Sequence, residues 1–310
     1  MTSKLLGVAA FGWALMALMV AGVVDARAQG GSASYRFDFG PGRVAAGYTQ
    51  VSEATAYTKE RGYGFEPGAR VECVDRGGRD ALGGDFCTGD KPFFFSVAVP
   101  EGNYRVTVTL GDARGESVNT VKAELRRLML ERVETARGKS ATRTFTVNVR
   151  TPEIAGGERV RLKDREKPAL RWDDKLTLEL NGKRPGVKST RITPRPDAIT
   201  VFLAGDSTVT DQFDEPWAAW GQMLPRFFKP GVAVANHAES GESLRSFRGA
   251  KRRDKILSQI KSGDYLFIQF GHNDMKEKGE GVGPFTTFKR DLEEFVALAR
   301  EKGATAVLVT

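Results

Sequence analysis

The sequence predicts an all-β sandwich followed by an α/β domain built on a parallel sheet. Three observations carry this. Short β-rich runs fill residues 35 to 182, namely YRFDFG, FFFSVAV, YRVTVTLG, RTFTVNVR and KLTLELNG. Several alternate in polarity, and Gly, Pro and Asp punctuate them. From Ile199 onward, buried strands alternate with helical stretches, the pattern of a parallel sheet covered by helices. A length of 310 residues suits about two domains.

The elements follow in order. Lys4 precedes an apolar run from Leu5 to Val24, and Ala26-Arg27-Ala28 has the small-x-small form of a cleavage site. Residues 1–28 are therefore expected to be a signal peptide cleaved near Ala28, which makes the protein secreted or periplasmic. The run is also long enough to span a bilayer, so an uncleaved anchor is the alternative. Residues 29–182 are assigned to the β-sandwich, of sandwich or jelly-roll type. Within it, AELRRLMLERVETA reads as two strands joined by a turn, although a helix also accommodates Leu125, Leu128 and Val133. Cys73 and Cys87 are the only cysteines and flank a Gly-rich loop that can fold back. Outside the cytoplasm a disulfide between them is expected, with two free thiols as the alternative. Tyr48, Tyr63 and Phe65 are either sugar-stacking aromatics or ordinary core.

The stretch NGKRPGVKSTRITPRPDA, residues 181 to 198, has three prolines, two glycines and no apolar periodicity. It reads as a linker, placed at 183–198. Beyond it, in 199–310, ITVFLA, VAVAN, DYLFIQFG and ATAVLVT read as strands. PWAAWGQMLPRFF reads as a helix with Pro216 in its first turn. RDKILSQIK is a second helix, and FTTFKRDLEEFVALAREKG is an amphipathic third that stops at Lys302-Gly303.

A net charge of +8 suits an anionic surface, nucleic acid, an acidic polymer or simply a solvated exterior. No zinc-finger spacing or RRM signature supports nucleic acid. Two cysteines without nearby histidines are not a metal site. No metal, no cofactor and no membrane association after signal cleavage are expected.

Ligands of open α/β sheets bind at the carboxyl ends of the strands. Three ends here are unusually polar: Gly205-Asp206-Ser207-Thr208, the stretch Asn236 to Ser243, and Gly271-His272-Asn273-Asp274. Ser207 taken alone reads more readily as a helix cap than as a nucleophile. As a nucleophile it needs a base and donors for an oxyanion.

The motifs G-D-S, N-x-A-x-x-G-x-S and G-H-N-D, in this order, resemble those of the SGNH (GDSL-type) hydrolases, whose α/β domain is flavodoxin-like. More narrowly, AGDSTVTD, NHAESGESLRSF and IQFGHNDMK resemble rhamnogalacturonan acetylesterases over residues 199 to 310. FDFGPG, GYGF and PEGNYRVTVTLG resemble the galactose-binding-like sandwich that precedes the esterase domain in many bacterial members. The resemblance implies that Ser207 attacks an acetyl carbonyl of an acetylated polysaccharide, from the positive end of a following helix. It implies an oxyanion hole made by the Ser207 and Gly241 backbone N–H groups and the Asn273 side chain. The family base sits in a late D-x-x-H motif, and none occurs in these 310 residues. His237 and His272 occupy places where the family often has a histidine that is not the base. The catalytic Asp and His are therefore expected to be absent, with the sheet truncated after its fourth strand and this chain inactive by itself. The alternatives are a non-catalytic carbohydrate-binding fragment, or an SGNH esterase or lipase acting on another acyl ester.

Overall fold

The structure, a computed structural model, describes residues 34–68 and 70–310. The expected signal peptide lies outside the described residues.

In the first part of the chain, from Tyr35 to Pro194, the regular elements are strands, apart from one 3-10 turn at Asp164–Glu166. The strands are β1 (Tyr35–Phe39), β2 (Thr49–Val51), β3 (Tyr63–Phe65), β4 (Val71–Asp75), β5 (Asp85–Gly89) and β6 (Phe93–Ala98). They continue as β7 (Gly102–Leu110), β8 (Ser117–Ala123), β9 (Arg127–Thr135), β10 (Ala141–Val149), β11 (Lys175–Asn181) and β12 (Gly186–Pro194). One sheet runs β10-β7-β12-β1-β2, with β5 joined to β12 and β4 to β5. The other runs β3-β6-β11-β8-β9. Alternation explains the burial: along β7, Tyr104, Val106, Val108 and Leu110 face the core while Arg105, Thr107 and Thr109 do not. Phe37, Phe39, Phe65, Phe93 and Phe95 meet between the sheets, mostly edge to face. Phe65 is therefore core, and Tyr63 packs on Phe37 at 5.1 Å. The Tyr48 hydroxyl accepts from Arg191 at 3.3 Å. Cys73 and Cys87 face each other on β4 and β5 and are disulfide-bonded. AELRRLMLERVETA spans the end of β8, a tight turn and β9, with Glu124 and Arg126 in left-handed conformation at the turn.

The linker expected at 183–198 is corrected. Most of it is β12, an interior strand paired with β7 and β1 on either side. The prolines and glycines stand at its ends, while Val187, Ser189, Thr190 and Ile192 are buried inside the sheet. Ser and Thr carry no hydropathic signal, yet β-branched Thr fits a pleated surface well. Only Arg195 to Ala198 then separates the two sheet systems.

The second part is a parallel sheet of β13 (Ile199–Gly205), β14 (Val232–Asn236), β15 (Tyr265–Gln269) and β16 (Thr305–Leu308), in the order β14-β13-β15-β16. Its helices are α1 (Trp220–Met223), α2 (Leu244–Gly249), α3 (Arg252–Gln259) and α4 (Lys289–Glu301). Phe247, Ile256, Phe295 and Ala299 of the last three pack onto Phe202, Leu266 and Ile268 of the sheet. The helix expected over PWAAWGQMLPRFF is corrected to one short turn, α1, running into a 3-10 turn at Leu224–Phe227. Pro225, which lacks an N–H, stands where the α-helical ladder gives way. Pro216 precedes the helix rather than opening it.

The two parts join through buried charge. Arg127 at the start of β9 donates to the Val234 carbonyl of β14 at 2.6 Å and the Asn148 carbonyl of β10 at 2.8 Å. Arg127 and Arg150 lie 3.6 and 3.4 Å from the Asp211 carboxylate, and all three side chains are sealed from solvent. The long connection from β10 to β11 also crosses to the α/β part, where Arg161 donates its N–H to the Ala250 carbonyl at 2.9 Å.

Removing one partner of a buried ion pair leaves the others uncompensated. Asp211→Ala is therefore expected to cost about 3–5 kcal/mol in unfolding free energy. Urea denaturation checks this; a loss below about 1 kcal/mol, the range of exposed pairs, would show that the arginines need no anion there.

Candidate active site

In the parallel sheet, β13 lies between β14 and β15, with Leu203 opposite Asn236 and Gly205 opposite Gln269. The three polar loops thus leave one edge side by side. After β13 the chain makes a single turn. The Val209 and Thr210 N–H groups donate to the Asp206 carbonyl at 3.1 and 3.0 Å. The Asp206 carboxylate accepts from the Thr208 N–H and hydroxyl at 3.0 and 2.9 Å. Gly205 permits this fold-back, since a Cβ there would sit 2.4 Å from the Val209 side chain.

The helix expected directly after Ser207 is absent, and with it the helix dipole; the next helix starts at Trp220. The cause is local. The Asp206 carboxylate offers the backbone a competing partner. Thr210 and Asp211 are meanwhile drawn away, Thr210 to the Ala238 carbonyl at 2.9 Å and Asp211 to the Asn236 amide at 2.8 Å. Ser207 itself is half-buried. Its carbonyl accepts from Gln212 at 2.7 Å, and its hydroxyl has no hydrogen-bond partner among the described residues.

The second loop is tied to the first. The Glu239 N–H donates to the Gly205 carbonyl at 3.2 Å, and the Asn236 amide donates to the Val209 carbonyl at 2.7 Å. Gly241 has φ +81°, a region that L side chains rarely adopt, and a Cβ there would meet little. Conformation rather than crowding demands the glycine. The third loop closes on the second. The Asn273 amide donates to the Glu242 carbonyl at 3.0 Å, while its oxygen accepts from Lys276 at 3.0 Å. That arrangement leaves the second amide hydrogen of Asn273 free to donate. Asp274 accepts from the Leu244 and Gly271 N–H groups at 2.8 and 2.9 Å. Burial raises its carboxyl above the ordinary range in spite of those donors. Ser207, Gly241 and Asn273 therefore occupy adjoining loops at one sheet edge, with no direct hydrogen bond between Ser207 and the other two among the described residues. A cavity of about 350 Å³ opens beside the third loop, lined in part by Leu244, Gly271, Asp274 and Phe288, but none of the three residues lines it.

The two histidines differ. His237 is fully buried, its ring 5.2 Å from Trp172 and 5.8 Å from Phe202, and neither nitrogen has a hydrogen-bond partner. Burial first, then the charges of Arg150, Lys255, Arg252 and Arg127, hold this imidazole well below its ordinary range. It is a neutral packing group. His272 is exposed.

Sequence reading missed the residues that the β10–β11 connection brings to the second loop. Lys163 donates to the Ser240 carbonyl at 2.7 Å and pairs with Glu242 at 2.7 Å. Arg165 binds Glu239 and the Ser240 carbonyl, and Arg171 binds the other oxygen of Glu239 at 2.5 Å. Burial pushes the Glu239 carboxyl up, but Arg171, Arg165 and Arg252 outweigh it and hold it below its ordinary range. No periodicity marks KDREKPALR as anything but a charged loop.

A four-stranded parallel sheet thus carries a Gly-Asp-Ser turn at the end of an interior strand and is preceded by a two-sheet β domain. Residues 201–307 match the GDSL-like lipase/acylhydrolase family, and residues 35–153 match the β-agarase/YXIM esterase-like, galactose-binding domain-like family. The chain thus carries a GDSL-type domain behind a galactose-binding-like domain. It is 50% identical over 114 residues to rhamnogalacturonan acetylesterase RhgT of Bacillus subtilis, covering 36% of this chain and 48% of that one. It is 28% identical over 292 residues to the uncharacterized esterase YxiM of Bacillus subtilis, covering 89% of this chain and 68% of that one. The solved YxiM structure aligns over 89% of this chain and 74% of its own, with 27% identity and a TM-score of 0.42. The chain spans about half the length of RhgT and of the probable rhamnogalacturonan acetylesterase YesY of Bacillus subtilis.

The His237 environment has a signed consequence. Its pKa is depressed on folding, so the unfolded chain takes up the proton first, below about pH 6.5. The stability tied to it is present above that pH and lost as pH falls. The stability of wild type minus that of His237→Leu is expected to decline between pH 7.5 and 5.5, by up to about 1.4 kcal/mol per pH unit. Parallel stability curves would show that the folded protein protonates His237 as readily as the unfolded chain does.

Proposed function

We propose that this chain is the nucleophile-bearing part of a secreted serine esterase that removes acetyl groups from a pectic polysaccharide of the rhamnogalacturonan type. One observation carries the reading: Ser207 stands at the carboxyl end of interior strand β13, Gly241 on the loop hydrogen-bonded to that turn, and Asn273 on the loop hydrogen-bonded to Gly241's loop. Ser207 attacks the acetyl carbonyl, expels the sugar hydroxyl and leaves an acetyl-enzyme that water then cleaves. The oxyanion is held by the N–H groups of Ser207 and Gly241 and the free amide hydrogen of Asn273. The proton of Ser207 requires an imidazole. His237 has neither nitrogen exposed, and no contact ties His272 to the serine. We assign the base to an Asp-x-x-His pair outside these 310 residues. The positive net charge suits a uronate-bearing polymer. The RhgT similarity supports the sugar class, and an SGNH esterase acting on another acyl ester is the runner-up.

Full-length protein is expected to release acetate from acetylated rhamnogalacturonan, and Ser207→Ala to lower kcat by on the order of 10⁴-fold or more. Acetate assay of both proteins checks this. Turnover of long-chain esters without acetate release would transfer the reading to a lipase. Equal activity of the alanine variant would remove Ser207 from the chemistry.

A further inference from the structure

The proposed oxyanion glycine is gripped by the other domain. Gly241 follows Ser240, and the Ser240 carbonyl accepts from both Lys163 Nζ and Arg165 Nη2 at 2.7 Å. The neighbouring side chains are held by the same connection. Glu239 is bound by Arg165 and Arg171, and Glu242 by Lys163. A trans peptide carries its C=O and N–H on opposite sides of one rigid plane. Fixing the Ser240 carbonyl toward two cations therefore fixes the Gly241 N–H away from them. The same contacts polarise the peptide, which strengthens its N–H as a donor.

Resting on the esterase reading, we propose that Lys163 and Arg165 of the β domain are positioning residues for the oxyanion hole, aiming and polarising the Gly241 N–H through the Ser240 peptide. The β domain is then a working part of the catalytic site and not only a substrate-binding attachment. Both side chains are partly exposed, at 36% and 50%, while the Glu242 and Glu239 carboxylates that they meet are buried, so the conservative Lys163→Arg variant, which keeps the charge, is needed as a control.

The test uses full-length protein carrying Lys163→Met, Arg165→Met or both, with Lys163→Arg as the conservative control. Oxyanion donors act on the transition state, so kcat is expected to fall about 10- to 100-fold with KM within about twofold, and Lys163→Arg to recover most of it. In parallel, the Gly241 amide resonance of glycine-labelled protein is expected to move in the methionine variants while those of Gly205 and Gly271 stay. An unmoved Gly241 resonance with kcat retained overturns the proposal. A rise in KM with kcat intact also overturns it, because the cations would then be touching substrate. If wild type hydrolyses no acetyl ester, the esterase reading falls, and the Gly241 resonance still decides whether Lys163 and Arg165 set that peptide.

Discussion

Arg127, Arg150, Arg171 and Arg252, with Glu124, Glu166, Asp211 and Glu239, lie almost wholly out of solvent where the β domain meets the α/β domain. Everything near Ser207 depends on this cluster. Asp211 faces Arg127 and Arg150 while accepting from Asn236, so the Ser207 turn and the second loop share one anchor. Glu166 pairs with Arg171 and Arg252, and Glu239 with Arg171. Such burial is expensive. The cost is visible at Glu124, whose carboxyl burial pushes up to about 8 even beside Arg127. What the cluster supplies in return is direction. The sandwich core of phenylalanines and valines holds the sheets together without regard to angle. A guanidinium fork meets its carboxylate or carbonyl in few orientations.

Trp172 stands inside the cluster. Arg150 stacks over its ring at 4.6 Å and Arg252 at 5.6 Å, while His237 meets its edge. Its backbone is left-handed at φ +58°, an unusual state for a bulky side chain. The ring offers both guanidiniums a polarisable face that attracts them.

The fold was largely legible because most of its strands obey one period each. β7, β10 and β11 alternate or run apolar, and the strands from β13 onward are plain buried runs. β12 was not legible, because its buried face is partly Ser and Thr and its flanks hold Pro and Gly, which together resemble a loop. The end of helix α1 is not legible, because apolar spacing does not show where a ladder gives way. Ser207, Gly241 and Asn273 stood out because motif spacing survives in the chain. Lys163, Arg165 and Arg171 did not, because their meaning lies in a contact about seventy residues away along the sequence. Buried ion networks leave no periodic trace, since arginine and glutamate look the same on a surface.

The short passage from Pro194 to Ile199 invites division of the molecule there, and the crossing of the β10–β11 connection makes that division misleading. Cut between Ala198 and Ile199, each piece would carry half of every shared charge pair, with Arg127 and Arg150 on one side and Asp211 on the other. Such pieces are complements rather than modules. A chimera that grafts another sandwich onto this α/β domain must bring along Arg127, Arg150 and residues 151–174, or Asp211, Glu239 and Glu242 lose their cationic partners.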